Sequence, residues 1–470
     1  MWIALITAII LVIAGTTIFA LRDLSAQRAE QPGTQTATEP VAQDPPKEMD
    51  TATSSPTPEP IPLDPGVVRG WGNNTLGELG DGTSSKRGGV VAAEGLTNVH
   101  SVFPIARSTF AVLTDGTVYG WGFNERGELG DGTTEGRTLP APIEGLEDVV
   151  SIHGAWQSIL ALHQDGTISA WGYNQNGELG NGTTDPNPQP AKVPGVKDVK
   201  LLEVTGHGAV LAVLTDGTVM AWGSNITGQL GDGMTSDIHT PAPIQHLKSV
   251  QAIYSSGSAV YAVLMNGTVM SWGDASDGAL GDRDSDFGYY PATISGLEDV
   301  SKVVAAQNAA FAILQDGTVM AWGSNKGGRL GTGTDIAHSD KPVAVKSVAG
   351  AVDLYLTDKA NTVFVLLEDG TLIAWGANNN GQLGDGSTTN RSTPEAIAGV
   401  SGVKELWPIS RATFALLEDG TMMVWGDKRD GKIGKAATGD PSLPVPFGDV
   451  ENGEALFGSL KTAFVVLTEG

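Results

Sequence analysis

Three aspartates alternate in "GDRDSDFG", residues 281–288, at Asp282, Asp284 and Asp286. Carboxylates spaced in this way can converge on a hard divalent cation such as calcium, which prefers a shell of many oxygen ligands. Two neighbouring positions argue against that chemistry. Phe287 occupies the turn position at which a calcium loop requires glycine, and Thr293 stands where the bidentate glutamate belongs. The three aspartates are a weak candidate metal site, with a drifted surface turn as the competing account.

A second stretch, "WGFNERGELGDGTT" from Trp121 to Thr134, has the glycines to cradle a phosphate. A dinucleotide fingerprint needs G-x-G-x-x-G between a strand and a helix. Here the next glycine after Gly122 is Gly127, and no helical periodicity follows. The histidines at 100, 153, 163, 207, 239, 246 and 338 show no metal-ligand spacing. The absence of cysteine removes disulfides, thiolate metal sites and thiol catalysis together. No cofactor and no catalytic residue is expected. A cell-envelope hydrolase stays open as an alternative, because a Ser-His-Asp site can be assembled from residues far apart in sequence.

The elements that would position these residues are read from self-comparison. Trp-Gly recurs at Trp71, Trp121, Trp171, Trp222, Trp272, Trp322, Trp375 and Trp425, at spacings between 50 and 53 residues. Around it, "FAVLTDGTVYGWG" (Phe110–Gly122) holds two alternating apolar runs about Asp115-Gly116, the signal of a two-residue hairpin. The same pair stands at Asp165-Gly166, Asp216-Gly217, Asn266-Gly267, Asp316-Gly317, Asp369-Gly370 and Asp419-Gly420. Two further short apolar runs complete each unit. Four short antiparallel strands per repeat predict a blade of a β-propeller. The last unit, "FVVLTEG" (464–470), lacks its third strand, whereas "GVVRGWG" from Gly66 supplies one. Strands from the two ends are therefore expected to complete one blade and close the ring.

These two motifs together resemble the regulator of chromosome condensation repeat, over roughly residues 66–470. The resemblance implies an all-β, closed propeller of four-stranded blades, seven in the family's typical members. Eight signatures predict eight blades here, with seven as the alternative. The resemblance also implies an alternative function, since the family's founding member catalyses nucleotide exchange on a small nuclear GTPase while bound to chromatin.

Residues shared by every unit build the scaffold, so binding is sought where units differ. Eight residues before each hairpin the series is Arg107, Gln157, Gly208, Ser258, Asn308, Asn361, Arg411, Lys461. Four residues earlier it is Phe103, His153, Val204, Tyr254, Val304, Thr357, Trp407, Phe457. Ring closure makes the three basic members neighbours, each with an aromatic beside it. Trp156, His207 and Lys359 extend the sector. It predicts a site for an anionic or glycan ligand, or for an acidic partner segment. The competing account places the aromatics in the inner core and the basic residues on solvated turns. Seven residues after each Trp stand Glu78, Glu128, Glu178, Gln229, Ala279, Arg329, Gln382 and Lys432, expected as solvated loop residues, with a rim charge polarity that orients a protein partner as the alternative.

Trp2 to Leu21 is an uncharged apolar run of bilayer-spanning length, so residues 1–22 are expected to be a transmembrane helix acting as signal anchor, in preference to a cleaved signal sequence. Residues 23–65, rich in Pro, Thr and Ser, read as a disordered tether. A net charge of −25 argues against nucleic-acid partners. The expectation is a monomeric, non-enzymatic protein- or ligand-binding propeller held outside the cytoplasmic membrane, or else secreted.

Overall fold

Each Asp-Gly pair forms the tight turn that its residues favour. The Asp115 carboxylate accepts hydrogen bonds from the Thr117 amide and hydroxyl at 3.0 and 2.7 Å, while Gly116 takes a φ of 80°. The same side-chain clasp recurs at Asp165, Asp216, Asn266 and Asp419. Residues before and after the turn then pair in register, as Phe110 does with Gly120.

The computed structural model describes residues 66–155, 157–282, 287–306, 308–357, 361–409, 411–427, 442–448, 450, 452–458 and 462–467, with the short antiparallel pair Ile9–Ile10 and Phe19–Ala20. The expected anchor helix and tether fall on residues that otherwise lie outside these. Among the described residues, no helix is long and apolar enough to cross a membrane.

From residue 66 onward the strands form eight four-stranded antiparallel sheets, so the count is eight blades and not seven. The first blade runs through Val99–Ile105, Ser108–Leu113, Val118–Gly122 and Arg137–Pro142. Blades 2 to 7 begin at residues 149, 199, 250, 300, 351 and 403. Blade 8 combines Gly453–Gly458 and Thr462–Leu467 with Val67–Gly72 and Arg87–Ala92 from the other end of the chain. Val67–Gly72 pairs with Thr462–Leu467 along its whole length, from Val67↔Leu467 to Gly72↔Thr462. First strands of successive blades touch in one unbroken cycle that returns from blade 8 to blade 1, so they form the inner wall of the ring. Fourth strands lie outermost and are half-buried or exposed, as in Arg137–Pro142.

Strand alternation sorts the connections onto two faces. Turns between first and second strands, and the glycine-rich loops between third and fourth, share one face, called here the upper face. Asp-Gly turns and blade-to-blade connections share the lower one. Gly66 takes the place of a hairpin glycine: its carbonyl accepts from Val99 N–H at 3.3 Å, as Gly116 accepts from Val149 at 3.2 Å. The chain therefore enters the propeller on the lower face.

The core lies between blades. All eight repeat tryptophans are buried, together with Leu79, Leu129 and the equivalent leucines up to Leu383. Seven indoles donate to the preceding blade, each to the carbonyl of the residue seven positions after that blade's Trp: Trp121 to Glu78 at 2.8 Å, Trp171 to Glu128 at 2.7 Å, Trp375 to Arg329 at 2.7 Å. In five of these contacts a second-strand aromatic of the preceding blade also meets the indole at a steep angle, as Phe110 meets Trp171 at 6.2 Å and 76°, whereas blades 2 and 3 place Leu160 and Leu211 there. Glycine is required beneath this contact. At Gly127 φ is +80°, and a Cβ would lie 2.5 Å from Pro188 Cα of the next blade.

Candidate functional site

The upper-face turns of blades 1 and 7 are held by main chain. Arg107 accepts a hydrogen bond at its carbonyl from Phe123 N–H at 3.1 Å, and Arg411 from Asp427 at 2.8 Å. Both arginine side chains are exposed. The Arg107 guanidinium lies over the Phe123 ring, 5.6 Å from its centroid, which fixes its direction by a cation–π contact. Because blade 8 joins blade 7 to blade 1, Arg411 and Arg107 flank that blade on either side. The corresponding residues of blades 2 to 6 are uncharged: Gln157, Gly208, Ser258, Asn308 and Asn361. His207 is exposed, and its Nδ1 lies 2.7 Å from the Ser258 hydroxyl of the next blade. Lys461, Trp156 and Lys359 lie outside the described residues.

Phe103, Trp407 and Phe457 are buried in the packing between blades. The two arginines thus stand above an aromatic layer whose faces are occupied by protein. Strand register also revises which residues share that layer. Paired opposite the second-strand residue equivalent to Phe110 are Phe103, His153, Glu203, Tyr254, Val304, Tyr355, Trp407 and Phe457. Glu203 and Tyr355 replace Val204 and Thr357, because the turns of blades 3 and 6 are longer than that of blade 1.

Glu203 is the residue that counting along the chain missed. It is fully buried, and its Oε1 accepts from the Ser255 hydroxyl of the next blade at 2.6 Å while Oε2 has no partner. Burial pushes this carboxyl up to about 8, against the hydrogen bonds from Ser255. Further round the inner strands, Lys302 Nζ meets Asp353 Oδ1 at 2.5 Å, both largely buried.

The series after each Trp is corrected among the described residues, outside which Lys432 lies. Glu78, Glu128, Glu178, Gln229, Arg329 and Gln382 are all buried and are not solvated. Each Glu or Gln curls back onto its own loop, where its side-chain oxygen accepts the amide two residues upstream, as Glu128 does from Arg126 at 2.8 Å. Burial raises the affinity of Glu128 and Glu178 for a proton. Arg329 instead donates to the Ser324 and Ala306 carbonyls and to Asn361 Oδ1, at 3.0 Å, in the turn of blade 6. Glu178 likewise lies against Gly208 in the turn of blade 3. At these two interfaces the variable series therefore meet, the buried loop residue of one blade beside the turn residue of the next.

Asp282 of the candidate cation loop accepts the Ser295 amide and hydroxyl at 3.2 and 2.7 Å, which caps the loop after the outer strand. Asp284 and Asp286 lie outside the described residues. Among the described residues, no group of three or more His, Asp or Glu is placed to hold a metal ion. Two clefts stand apart from the arginines. One of about 370 Å³ lies between the loops of blades 5 and 6, lined by Asn325, Thr334, Asp335, Ile336, Asn390 and Ser392. Another of about 170 Å³ lies where blades 7, 8 and 1 meet, beside His100, Lys404, Glu405 and Glu454.

The sequence model of the regulator of chromosome condensation (RCC1) repeat matches residues 115–162, 165–213, 216–263, 316–353 and 369–412. Prp20p of Saccharomyces cerevisiae, described with its binding to Gsp1p and histones, is a similar structure at 17% identity. It covers 87% of this chain and 93% of its own, with a TM-score of 0.57. Yeast RCC1 (Prp20) bound to Kap60 gives 17% identity, 92% and 97% coverage and a TM-score of 0.58. Human WBSCR16 gives 19% identity, 72% and 96% coverage and a TM-score of 0.56. At these identities the likeness is one of fold. Comparison with curated protein sequences gave no match.

Proposed function

We propose that this chain, in which the regulator of chromosome condensation repeat is found in five segments, is a non-catalytic binding propeller that captures an acidic protein segment on its upper face. The observation that carries this reading is the pair Arg107 and Arg411, exposed on turns that closure brings to either side of blade 8, whereas the corresponding turn residues of blades 2 to 6 are uncharged. Guanidinium groups bind carboxylates in two-point fashion. On a chain of net charge −25 such a sector is a local exception, which favours one docking orientation over others. Lys461 would add a third cation on the blade between them.

In this reading residues 1–22 anchor the protein and residues 23–65 tether it, with the propeller outside the cytoplasmic membrane. Entry of the chain at Gly66 on the lower face supports that arrangement, since it turns the arginine face away from the point of attachment. Proteolysis of intact cells should then remove the propeller; full protection would rule out this address.

The test of binding is a labelled poly-glutamate peptide titrated into the full-length protein. Wild type is expected to bind it with an affinity that falls as salt rises. Arg107→Glu combined with Arg411→Glu should weaken binding at least ~10-fold with an unchanged melting temperature, as for two exposed charge pairs lost together. Equal binding by the double variant would refute the site. A second reading, an exchange-factor-like regulator, rests on the repeat and the likeness to Prp20p. It requires accelerated nucleotide release from a small GTPase on addition of the protein.

A further inference from the structure

Each glycine-rich loop packs against the outer strand of the next blade, and the contact leaves four variable positions at the rim. Between blades 3 and 4, Gly233 N–H donates to the Tyr289 carbonyl at 2.9 Å. A Cβ on Gly228 would run into the Tyr289 ring, and one on Gly233 into the Tyr290 hydroxyl. Two loop residues and two strand residues meet there: Ile226, Met234, Tyr289 and Tyr290, exposed by 70, 62, 39 and 62%. At the interface of blades 2 and 3 the same places hold Gln175, Thr183, His239 and Thr240. Between blades 5 and 6 they hold Lys326, Thr334, Ser392 and Thr393. The fold therefore does not require an apolar side chain at any of the four. An exposed apolar cluster drawn from two blades marks an interaction site.

The charge beside this cluster is also unlike that of its neighbours. An acid stands in the same loop of several blades, and an arginine on the blade's own outer strand offsets it: Asp131 Oδ2 meets Arg137 at 3.3 Å, and Asp385 Oδ2 meets Arg391 at 3.1 Å. In blade 3 the acid is Asp232, and Ile238 occupies the arginine position. Asp232 Oδ1 accepts from the Asn225 side-chain amide and from Met234 N–H, both at 3.0 Å. Among the described residues no cation pairs with Oδ2. Residues 223–245 contain no Lys or Arg, and Asp237 adds an exposed carboxylate to the loop. Only Gly233 separates Asp232 from Met234, and the Tyr290 hydroxyl lies against that glycine, so the carboxylate adjoins the aromatic and apolar side chains.

We infer that the rim where blades 3 and 4 meet is a second recognition site, and that it takes a partner segment carrying arginine or lysine beside an apolar side chain. Asp232 supplies the counter-charge, and the tyrosines offer aromatic rings over which a cation is attracted. Ile226 and Met234 supply adaptable apolar contact. The acidic segment assigned to Arg107 and Arg411 is unsuited to this chemistry. The two sites stand across the ring from each other, with blades 1 and 2 on one side between them and blades 5 to 7 on the other.

The experiment titrates a labelled peptide of alternating arginine and leucine into the full-length protein in mild detergent at physiological salt. A chain of net charge −25 attracts any polycation, so the deciding variant leaves charge untouched. Met234→Thr combined with Tyr290→Thr introduces the residues found between blades 2 and 3, and should weaken binding at least ~10-fold with an unchanged melting temperature. Asp232→Asn introduces the residue of blade 2, where Asn181 accepts the Thr183 amide and hydroxyl at 3.0 and 2.9 Å, so the loop should keep its shape. It should weaken binding about 2–5-fold, as for one exposed ion pair. Peptides with serine in place of leucine, or glutamate in place of arginine, should bind more weakly than the parent. Absence of saturable binding by wild type overturns the proposal. So does equal binding by the threonine variant or by Asp232→Asn, because diffuse negative charge would then be the attractant. Equal binding of either altered peptide overturns it as well.

Discussion

Replacing Glu203 by glutamine probes an acid held in the inner wall of the ring with one oxygen unpaired. An ordinary glutamate carboxyl titrates near 4.5, and burial moves this one to about 8. Between those values the folded protein holds a proton that the unfolded chain has released, so this group makes stability fall as pH rises. Each unit corresponds to about 1.4 kcal/mol, which puts the loss near ~3 kcal/mol at pH 7 relative to pH 4.5, and near ~5 kcal/mol above pH 8. Glutamine keeps the shape and a partner for Ser255 but has no proton to lose. The difference in unfolding free energy between Glu203→Gln and wild type should therefore be flat below pH 4.5. It should grow in favour of the variant up to about pH 8, and then level off. Urea unfolding of both proteins at several pH values measures it, and subtraction cancels the titration of all other groups. Parallel stability curves for the two proteins across pH 5 to 8 would refute the reasoning, because the carboxyl would then be solvated in the fold.

Two further substitutions test the packing. Trp171→Phe removes the 2.7 Å bond to the Glu128 carbonyl and leaves a gap between blades 1 and 2, and should cost about 2–4 kcal/mol in denaturant unfolding. Lys302→Met strands Asp353 as a buried charge and should cost about 3–5 kcal/mol, most of it recovered when Asp353→Leu is added. A double variant no more stable than Lys302→Met alone would show that the pair is not a closed unit.

The architecture was legible because its signals are local and repeated. Asp-Gly turns, alternating apolar runs and a Trp-Gly at each third strand are consequences of hairpin geometry, and each appears in the sequence wherever the structure has the turn. Closure by Val67–Gly72 was legible for the same reason, as a missing strand at one end and a spare one at the other. Two things were not. Counting back from the hairpin loses register wherever a turn changes length, so Glu203 and Tyr355 were passed over for Val204 and Thr357. Glu128 and its equivalents look like surface residues by type, yet they are buried because each side chain satisfies its own loop's amides. The recurrence of Glu or Gln two residues after a backbone amide needing an acceptor was the available clue. Of the site, the neighbouring of Arg107 and Arg411 followed from closure alone; their relation to buried aromatics needed the strand faces.

The bond from each of seven indoles ends on a main-chain carbonyl, so the residue that supplies it can change without loosening that contact. Glu128, Gln229, Ala279 and Arg329 all serve the next tryptophan equally. Each loop interior is consequently open to substitution one blade at a time, provided that the incoming side chain satisfies its polar groups within its own loop or at the neighbouring turn. Such a wheel can be given a new specificity through a few substitutions in one sector, and the other blades need not register the change.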